Sequence, residues 1–534
     1  MAKSQNNQPK SAKKVKTDNG NNEAALFEAA DRLRGSVESA EYKHLVLGLV
    51  FLKYISDSFE QRRAELEELT RKVKSDYFTD DENERQEVLD DRDEYTAANV
   101  FWVPEKARWN ALLAKASQPD VGVQLDKALD SIERENEPLC GVLPKVYAKA
   151  ALSPEKLGDL VSTIAKVGFG HDAKQARDVL GRTYEYFIKE FARSEGHRGG
   201  EFYTPEPVVQ LLVQMLEPYK GRIYDPACGS CGMFVQSADF LRAHAGRAED
   251  LAVYGQEMNQ ATWRIGQMNL AIHGLGGEIK LGDTLTNDQH PTLKADFVIA
   301  NPPFNQSKWG ADQVKADSRW KHGVPPDGNA NYAWIQHFAS HLAPDGRAGF
   351  VLANGSLTSN TGGENKIRQA LIEDDLVDCI VALPGQLFYT TGIPVCLWFL
   401  DRNKASSSER DRKGEVLFLD ARQMGAKISR TQIDLSAEER EEIVSTYLAW
   451  RGTNEATYED MPGFCKSATI NEIEAAAWTL SPGRYVGAPE EDEDPELFEA
   501  RMAELVEQLG AELKENERLA GEVKEALKRV GYEL

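Results

Sequence analysis

At 534 residues the chain is too long for one ordinary domain, and two or three are expected. Its 41% hydrophobic and 28% charged residues suit a globular protein with a sizeable core and argue against a fibrous or disordered chain. A formal charge of −23 leaves little general attraction for phosphate, so nucleic-acid binding here needs a local basic surface or a partner that supplies one.

Residues 1–22 are basic and polar with no apolar segment behind them, which predicts a disordered tail and not a secretory signal. The longest apolar run, Leu45 to Leu52, falls far short of the ~20 residues that span a bilayer, so no membrane association and a cytoplasmic location are expected. From 23 to 195, Leu26, Ala30 and Leu33, then Leu45, Leu49, Leu52 and Ile55, recur at helical spacing and predict an N-terminal helical domain. Between 196 and 420 short apolar runs alternate with helical patterns, the signature of an α/β domain with a parallel sheet. The predicted strands are Arg222–Tyr224, Ala252–Gly255, Phe297–Ala300, Ala348–Leu352, Asp378–Leu383, Val395–Phe399 and Val416–Leu419. A C-terminal region follows over 421–488, then a last helix over 489–534 behind the acidic run Pro489–Pro495. That helix carries Met502, Leu505, Leu509, Leu519, Val523 and Val530 on a near-heptad stripe broken by Glu512 and Asn516. Such a stripe either packs on its own domain or docks a partner as a coiled coil.

The chemistry concentrates in the α/β zone. The segment Ile223-Tyr-Asp-Pro-Ala-Cys-Gly-Ser-Cys-Gly-Met-Phe234 ends a strand and opens a helix. Its small residues Gly229, Ser230 and Gly232 let backbone approach a ligand, and the helix start offers free N–H groups. Glu257, at the end of the next strand, is placed to accept hydrogen bonds from ribose hydroxyls. Asp283 follows in position to meet an adenine amine, which makes Asp225, Glu257 and Asp283 an ordered series. Then Asp296-Phe-Val-Ile-Ala-Asn301-Pro-Pro-Phe304 drives a buried strand and stops it with Pro302 and Pro303. A ring amine is a poor nucleophile because its lone pair is delocalised. The Asn301 side-chain oxygen and the Pro302 carbonyl together accept both of its hydrogens and favour a nucleophilic nitrogen, and Phe304 stacks on the base. Attack on a sulfonium methyl then needs positioning and electrostatics more than a strong base.

Other signals carry less. Cys228 and Cys231 form a lone C-x-x-C with no second pair to complete a zinc site, so they read as a redox pair or as members of the glycine-rich loop. Six scattered cysteines do not make a disulfide framework. His337 and His341 stand four apart without the glutamate of a zinc protease, and no metal is expected. No phosphate-binding G-x-x-x-x-G-K-[ST] loop occurs. The stretch 305–331, with Lys308, Trp309, Lys315, Arg319, Trp320 and Lys321, reads equally as a loop closing over a base or as an excursion with packed tryptophans.

Asp-Pro-x-Cys-Gly-Ser followed by Asn-Pro-Pro-Phe resembles the amino-methyltransferases of DNA. The wider sequence resembles the modification subunit of type I restriction-modification systems, an adenine-specific DNA methyltransferase. The likeness runs through Ala29 to Gly35, Leu49 to Asp57, Gly199-Gly-Glu-Phe-Tyr-Thr-Pro205, Leu383-Pro-Gly-Gln-Leu-Phe388 and Thr391-Gly-Ile-Pro394. It implies a Rossmann-like domain that uses S-adenosylmethionine, with Glu201, Phe202, Tyr203, Thr204 and Pro205 bordering the methionine end. It also implies that Asp225, Cys228, Gly229, Ser230, Gly232, Glu257 and Asp283 hold the cofactor, that Asn301, Pro302, Pro303 and Phe304 are catalytic, and that Phe388 helps Phe304 hold a flipped adenine. The implied partners are double-stranded DNA, a DNA-specificity subunit carrying two copies of this chain, and a helicase-nuclease restriction subunit. Where the family has glycine this chain has Cys231, which puts cofactor affinity in question. Methylation of RNA or of protein glutamine, and a catalytically silent assembly scaffold, are the competing readings.

Overall fold

The computed structural model describes residues 20–35, 37–166, 173–195, 204–244, 246–247, 250–388, 392–430 and 432–488, with scattered positions beyond 501. The predicted tail over 1–22 lies almost wholly outside the described residues, as do Glu201, Phe202, Tyr203 and Thr391.

The N-terminal part is helical, as the spacing predicts. It comprises α1 (Gly20–Leu33), α2 (Ser39–Arg71), α3 (Glu82–Asp90), α4 (Arg92–Thr96), α5 (Trp109–Leu113), α6 (Val121–Glu135), α7 (Pro154–Ala165) and α8 (Ala173–Glu195). Leu45, Leu49, Leu52 and Ile55 of α2 are all fully buried, packing with Leu129 and Ile132 of α6 and Leu160 and Val161 of α7 into one core. Tyr184, Phe187 and Phe191 of α8 belong to that core, and so do Ile265, Met268 and Ile272 of a helix from the next domain. Helix α8 therefore joins the two halves of the molecule.

The second part is built on β1 (Gly221–Asp225), β2 (Leu251–Glu257), β3 (Gly277–Leu281), β4 (Ala295–Ala300), β5 (Leu342–Ala353), β6 (Val377–Ala382), β7 (Val395–Asp401) and β8 (Glu415–Asp420). A small ribbon, β9 (Ala426–Lys427) and β10 (Ile433–Asp434), precedes β11 (Cys465–Thr469). The main sheet runs β11-β8-β6-β7-β5-β4-β1-β2-β3. Strands β3, β2, β1, β4 and β5 are mutually parallel, and β7 runs antiparallel to both β5 and β6. Each of the seven predicted strands is present. The sheet also extends past residue 420, because β11 pairs antiparallel with β8.

Both faces of the sheet are covered, which is why β6 and β7 are apolar almost throughout and wholly buried. One face packs on α9 (Glu206–Leu216), α10 (Gly232–Ala243), part of α11 (Gln260–Ile272) and α14 (Ala437–Arg451). The other packs on α12 (Asn331–His341), α13 (Glu364–Glu373) and α15 (Ile470–Ala475). Strand order reverses between β1 and β4, so the carboxyl ends of these two neighbours flank the crevice where open α/β sheets bind ligands. Among the described residues no helix is long and apolar enough to cross a membrane. Of the predicted C-terminal stripe, Met502, Leu509, Leu519 and Val523 are exposed, and most of 489–534 lies outside the described residues.

Candidate active site

Asp225 ends β1 and Asn301 follows β4, and the two line one cavity of ≈ 290 Å³. Thr204, Cys228, Gly229, Ser230 and Gly232 line it too. A Cβ added at Gly229 or Gly232 would meet nothing within 4 Å, so this turn faces open space. Its back is closed. At Gly266 of α11 an added Cβ would lie 2.9 Å from the Gly229 carbonyl oxygen and 2.8 Å from the Cys231 sulfur. Cys231 caps α10 at φ +61°, the left-handed region that glycine would adopt without strain. The loop thus keeps the glycine conformation despite the cysteine. Cys228 and Cys231 are buried free thiols, with the Cys228 thiol pushed well up by its contact with Cys231 and by burial, so both sit as members of the loop.

Glu257 braces the same loop from β2: its carboxylate accepts the Gly229 N–H (3.0 Å) and the Asn259 N–H (2.7 Å). Asp283 accepts the Leu285 N–H at 3.0 Å, and its neighbour Thr284 donates to the Pro226 carbonyl at 2.6 Å. Glu257 and Asp283 do not line the cavity itself. Asp225 is buried, and burial first, then the Glu257 charge, push its carboxyl up to about 8 despite the Ala227 N–H it accepts.

The Asn-Pro-Pro-Phe turn is organised by a residue far away in sequence. Asn301 is 8% exposed, and its Nδ2 donates to the Thr204 hydroxyl at 2.8 Å. Its Oδ1 has no hydrogen-bond partner among the described residues. Pro205 caps the start of α9 and is buried, beside Thr204 in the chain. Pro302 is buried, Pro303 and Phe304 are half-buried, and the Phe304 ring meets Phe388 edge-to-face with centroids 5.8 Å apart. These four residues lie outside the cavity lining, with the aromatic pair beyond Asn301. The excursion after Phe304 has its tryptophans packed: Trp309 and Trp320 are buried against each other, while Lys308, Lys315 and Lys321 are exposed.

Sequence reasoning missed Asn269 of α11 and the face of α8 bearing Arg182, Glu185 and Lys189, all of which line the cavity. A polar Asn269 among Met268, Leu270 and Ile272 was the available signal for the first. Asp288, His337 and His341 cluster closely enough to share a cation. However, the Arg319 guanidinium donates to His337 Nδ1 at 2.9 Å and Tyr224 meets its Nε2 at 3.2 Å. A fixed cation at that lone pair opposes a metal, and the cluster reads as an internal hydrogen-bond network.

The sheet order, the glycine-rich turn after β1 and the Asn-Pro-Pro-Phe turn after β4 together define a Rossmann-like amino-methyltransferase. The N-6 DNA methylase family matches residues 175–494, and the HsdM N-terminal domain family matches residues 22–164. The MjaIX methylase subunit of a type I restriction enzyme from Methanocaldococcus jannaschii is 39% identical over 517 residues, covering 96% of this chain and 91% of the relative. The HindI methylase subunit from Haemophilus influenzae is 42% identical over 453 residues, covering 81% of this chain and all of the relative. A crystal structure of a type I restriction-modification methyltransferase subunit from Streptococcus thermophilus superposes with a TM-score of 0.71 at 25% identity, over 88% of this chain and 99% of that one. The chain belongs to the methylase subunits of type I restriction enzymes, within the N-6 DNA methylase family.

Proposed function

We propose that the chain transfers a methyl group from S-adenosylmethionine to the N6 amine of an adenine flipped out of DNA, as the modification subunit of a type I restriction-modification complex. One observation carries the reading: Asn301 is clamped by Thr204 through its NH₂, which leaves its Oδ1 without a partner among the described residues at the Asp225 cavity.

The residues present fit the cofactor. The cavity has a glycine-lined open wall, buried acceptors without partners among the described residues, and a buried carboxyl, Asp225, suited to a ligand bearing positive charge. Thr204, Asp225, Gly229, Ser230 and Gly232 hold it, with Cys228 beneath the loop, Pro205 beside Thr204, and Glu201, Phe202 and Tyr203 completing the methionine end. Glu257 and Asp283 take the ribose and adenine. When bound, S-adenosylmethionine supplies an electrophilic methyl on a sulfonium. Asn301 Oδ1 and the Pro302 carbonyl then accept the target amine's two hydrogens and bring its lone pair out of conjugation. Pro303 fixes that turn, and Phe304 stacks on the base with Phe388 behind it. The proton lost afterwards goes to solvent.

The family match favours DNA over RNA or protein glutamine as the acceptor, and the formed cavity favours an enzyme over a scaffold. A specificity subunit reads the target and carries two copies of this chain, docked through the C-terminal helix and the N-terminal domain, and a restriction subunit supplies cleavage; the setting is the cytoplasm. Labelled methyl transfer to DNA, RNA and protein side by side tests the reading. Label on DNA adenine alone is expected, and label on either other substrate contradicts it.

A further inference from the structure

The cavity has a wall that none of the sequence motifs supplies. Glu185 of α8 and Asn269 of α11 both line it. Asn269 is 1% exposed, and its Nδ2 donates to the Ser230 carbonyl at 2.9 Å, which fixes the carboxamide. Its Oδ1 is left buried without a hydrogen-bond partner among the described residues. One turn on, His273 Nε2 stands 3.5 Å from the Glu185 carboxylate, so Asn269 and Glu185 line the cavity from two helices packed on each other. Burial, then the charges of Asp239 and Glu206, push the Glu185 carboxyl up to about 7, with Lys189 opposing. A half-buried carboxyl and a fixed, unsatisfied amide oxygen on one cavity wall call for a cationic hydrogen-bond donor. Arg182 and Lys189 line the same cavity and offer the complement, positive charge for a carboxylate. An amino-acid zwitterion matches this arrangement.

We infer that Glu185 and Asn269 seat the α-ammonium group of the cofactor's methionine moiety. The inference rests on the proposed use of S-adenosylmethionine and adds two binding residues from outside the motifs, one of them on the helix that joins the N-terminal core to the sheet. A seat on α8 makes cofactor binding depend on how the two halves are packed.

Calorimetric titration of the full chain with three ligands tests it. S-adenosylmethionine has the ammonium and the sulfonium, S-adenosylhomocysteine has the ammonium alone, and methylthioadenosine has neither. Glu185→Gln is expected to weaken the first two by about tenfold each and to leave methylthioadenosine unchanged, as loss of one charged hydrogen bond requires. Asn269→Ala is expected to give the same pattern. Equal weakening of all three ligands, weakening of S-adenosylmethionine alone, or no weakening overturns the assignment. If the unaltered chain binds neither ammonium-bearing ligand, the cofactor reading itself fails.

Discussion

The two ends of the Asn301 carboxamide are treated differently: the NH₂ is held by Thr204 and the oxygen has no partner among the described residues. Leaving a buried acceptor unpaired is costly, about 1–3 kcal/mol, and is tolerated where a ligand completes it. Thr204→Val removes the clamp without touching substrate. It is expected to slow methyl transfer about 10- to 100-fold even at saturating cofactor, and Thr204→Ser is expected to restore the rate. Single-turnover transfer, with saturation checked by calorimetry, measures both variants, and an unchanged rate for the valine variant would remove Thr204 from the account. Asp225 makes a prediction in pH. Its folded pKa of about 8 stands above the ordinary carboxyl value of 3.8, so the ligand-free fold is favoured by the protonated form and loses stability as pH rises between them. Asp225→Asn is expected to melt higher than the unaltered chain at pH 8, by about 2 °C or more, with the difference shrinking at pH 5. Thermal melts without ligand check this, and equal melting at both pH values counts against it. The motif residues were legible because each sits in a contiguous run with its own chemistry. Asn269 and Glu185 were not, since only the packing of α8 on α11 brings them to the cavity.

At the level of elements, every strand of the sheet's interior could be read and both edges could not. Strand β3, Gly-Glu-Ile-Lys-Leu, buries only Ile279, and β11, Cys-Lys-Ser-Ala-Thr, buries Cys465 and Ala468. Edge strands face solvent along one side and tolerate charge, so they lack the apolar run that marks a central strand. The His337 and His341 pair has the helical spacing of metal ligands although no metal is expected of it, and its sequence gives no hint that Arg319 enters from a loop to meet one ring nitrogen. The contact between α11 and the glycine-rich turn is equally invisible in sequence, and it depends on Gly266. Gly266→Ala places a methyl against the Gly229 carbonyl, and backbone cannot step aside as a flexible side chain would. Destabilisation of about 1–3 kcal/mol is expected, together with at least tenfold weaker cofactor binding as the loop is displaced. Denaturant unfolding and titration read the two effects, and retained affinity would show that the loop is not held by this packing.

For the whole molecule the governing facts are its charge and its joint. With a net charge of −23, the chain on its own has little general attraction for the phosphates of a duplex. It is expected to bind DNA only weakly alone at physiological salt, with a Kd above about 1 μM, and tightly once joined to a DNA-reading partner. Fluorescence anisotropy with and without that partner checks this, and nanomolar binding by the isolated chain contradicts it. The N-terminal core is continuous with α11, and α8 reaches from that core to the Asp225 cavity, so both halves of the chain contribute to its lining.

The most direct test is transfer of a labelled methyl to duplex DNA by the assembled complex, comparing the unaltered chain with Asn301→Ala. The account predicts N6-methyladenine from the unaltered chain, and a loss of about 10²-fold or more in the variant while S-adenosylmethionine still binds it. Substantial transfer by Asn301→Ala, or a product other than N6-methyladenine, would contradict it.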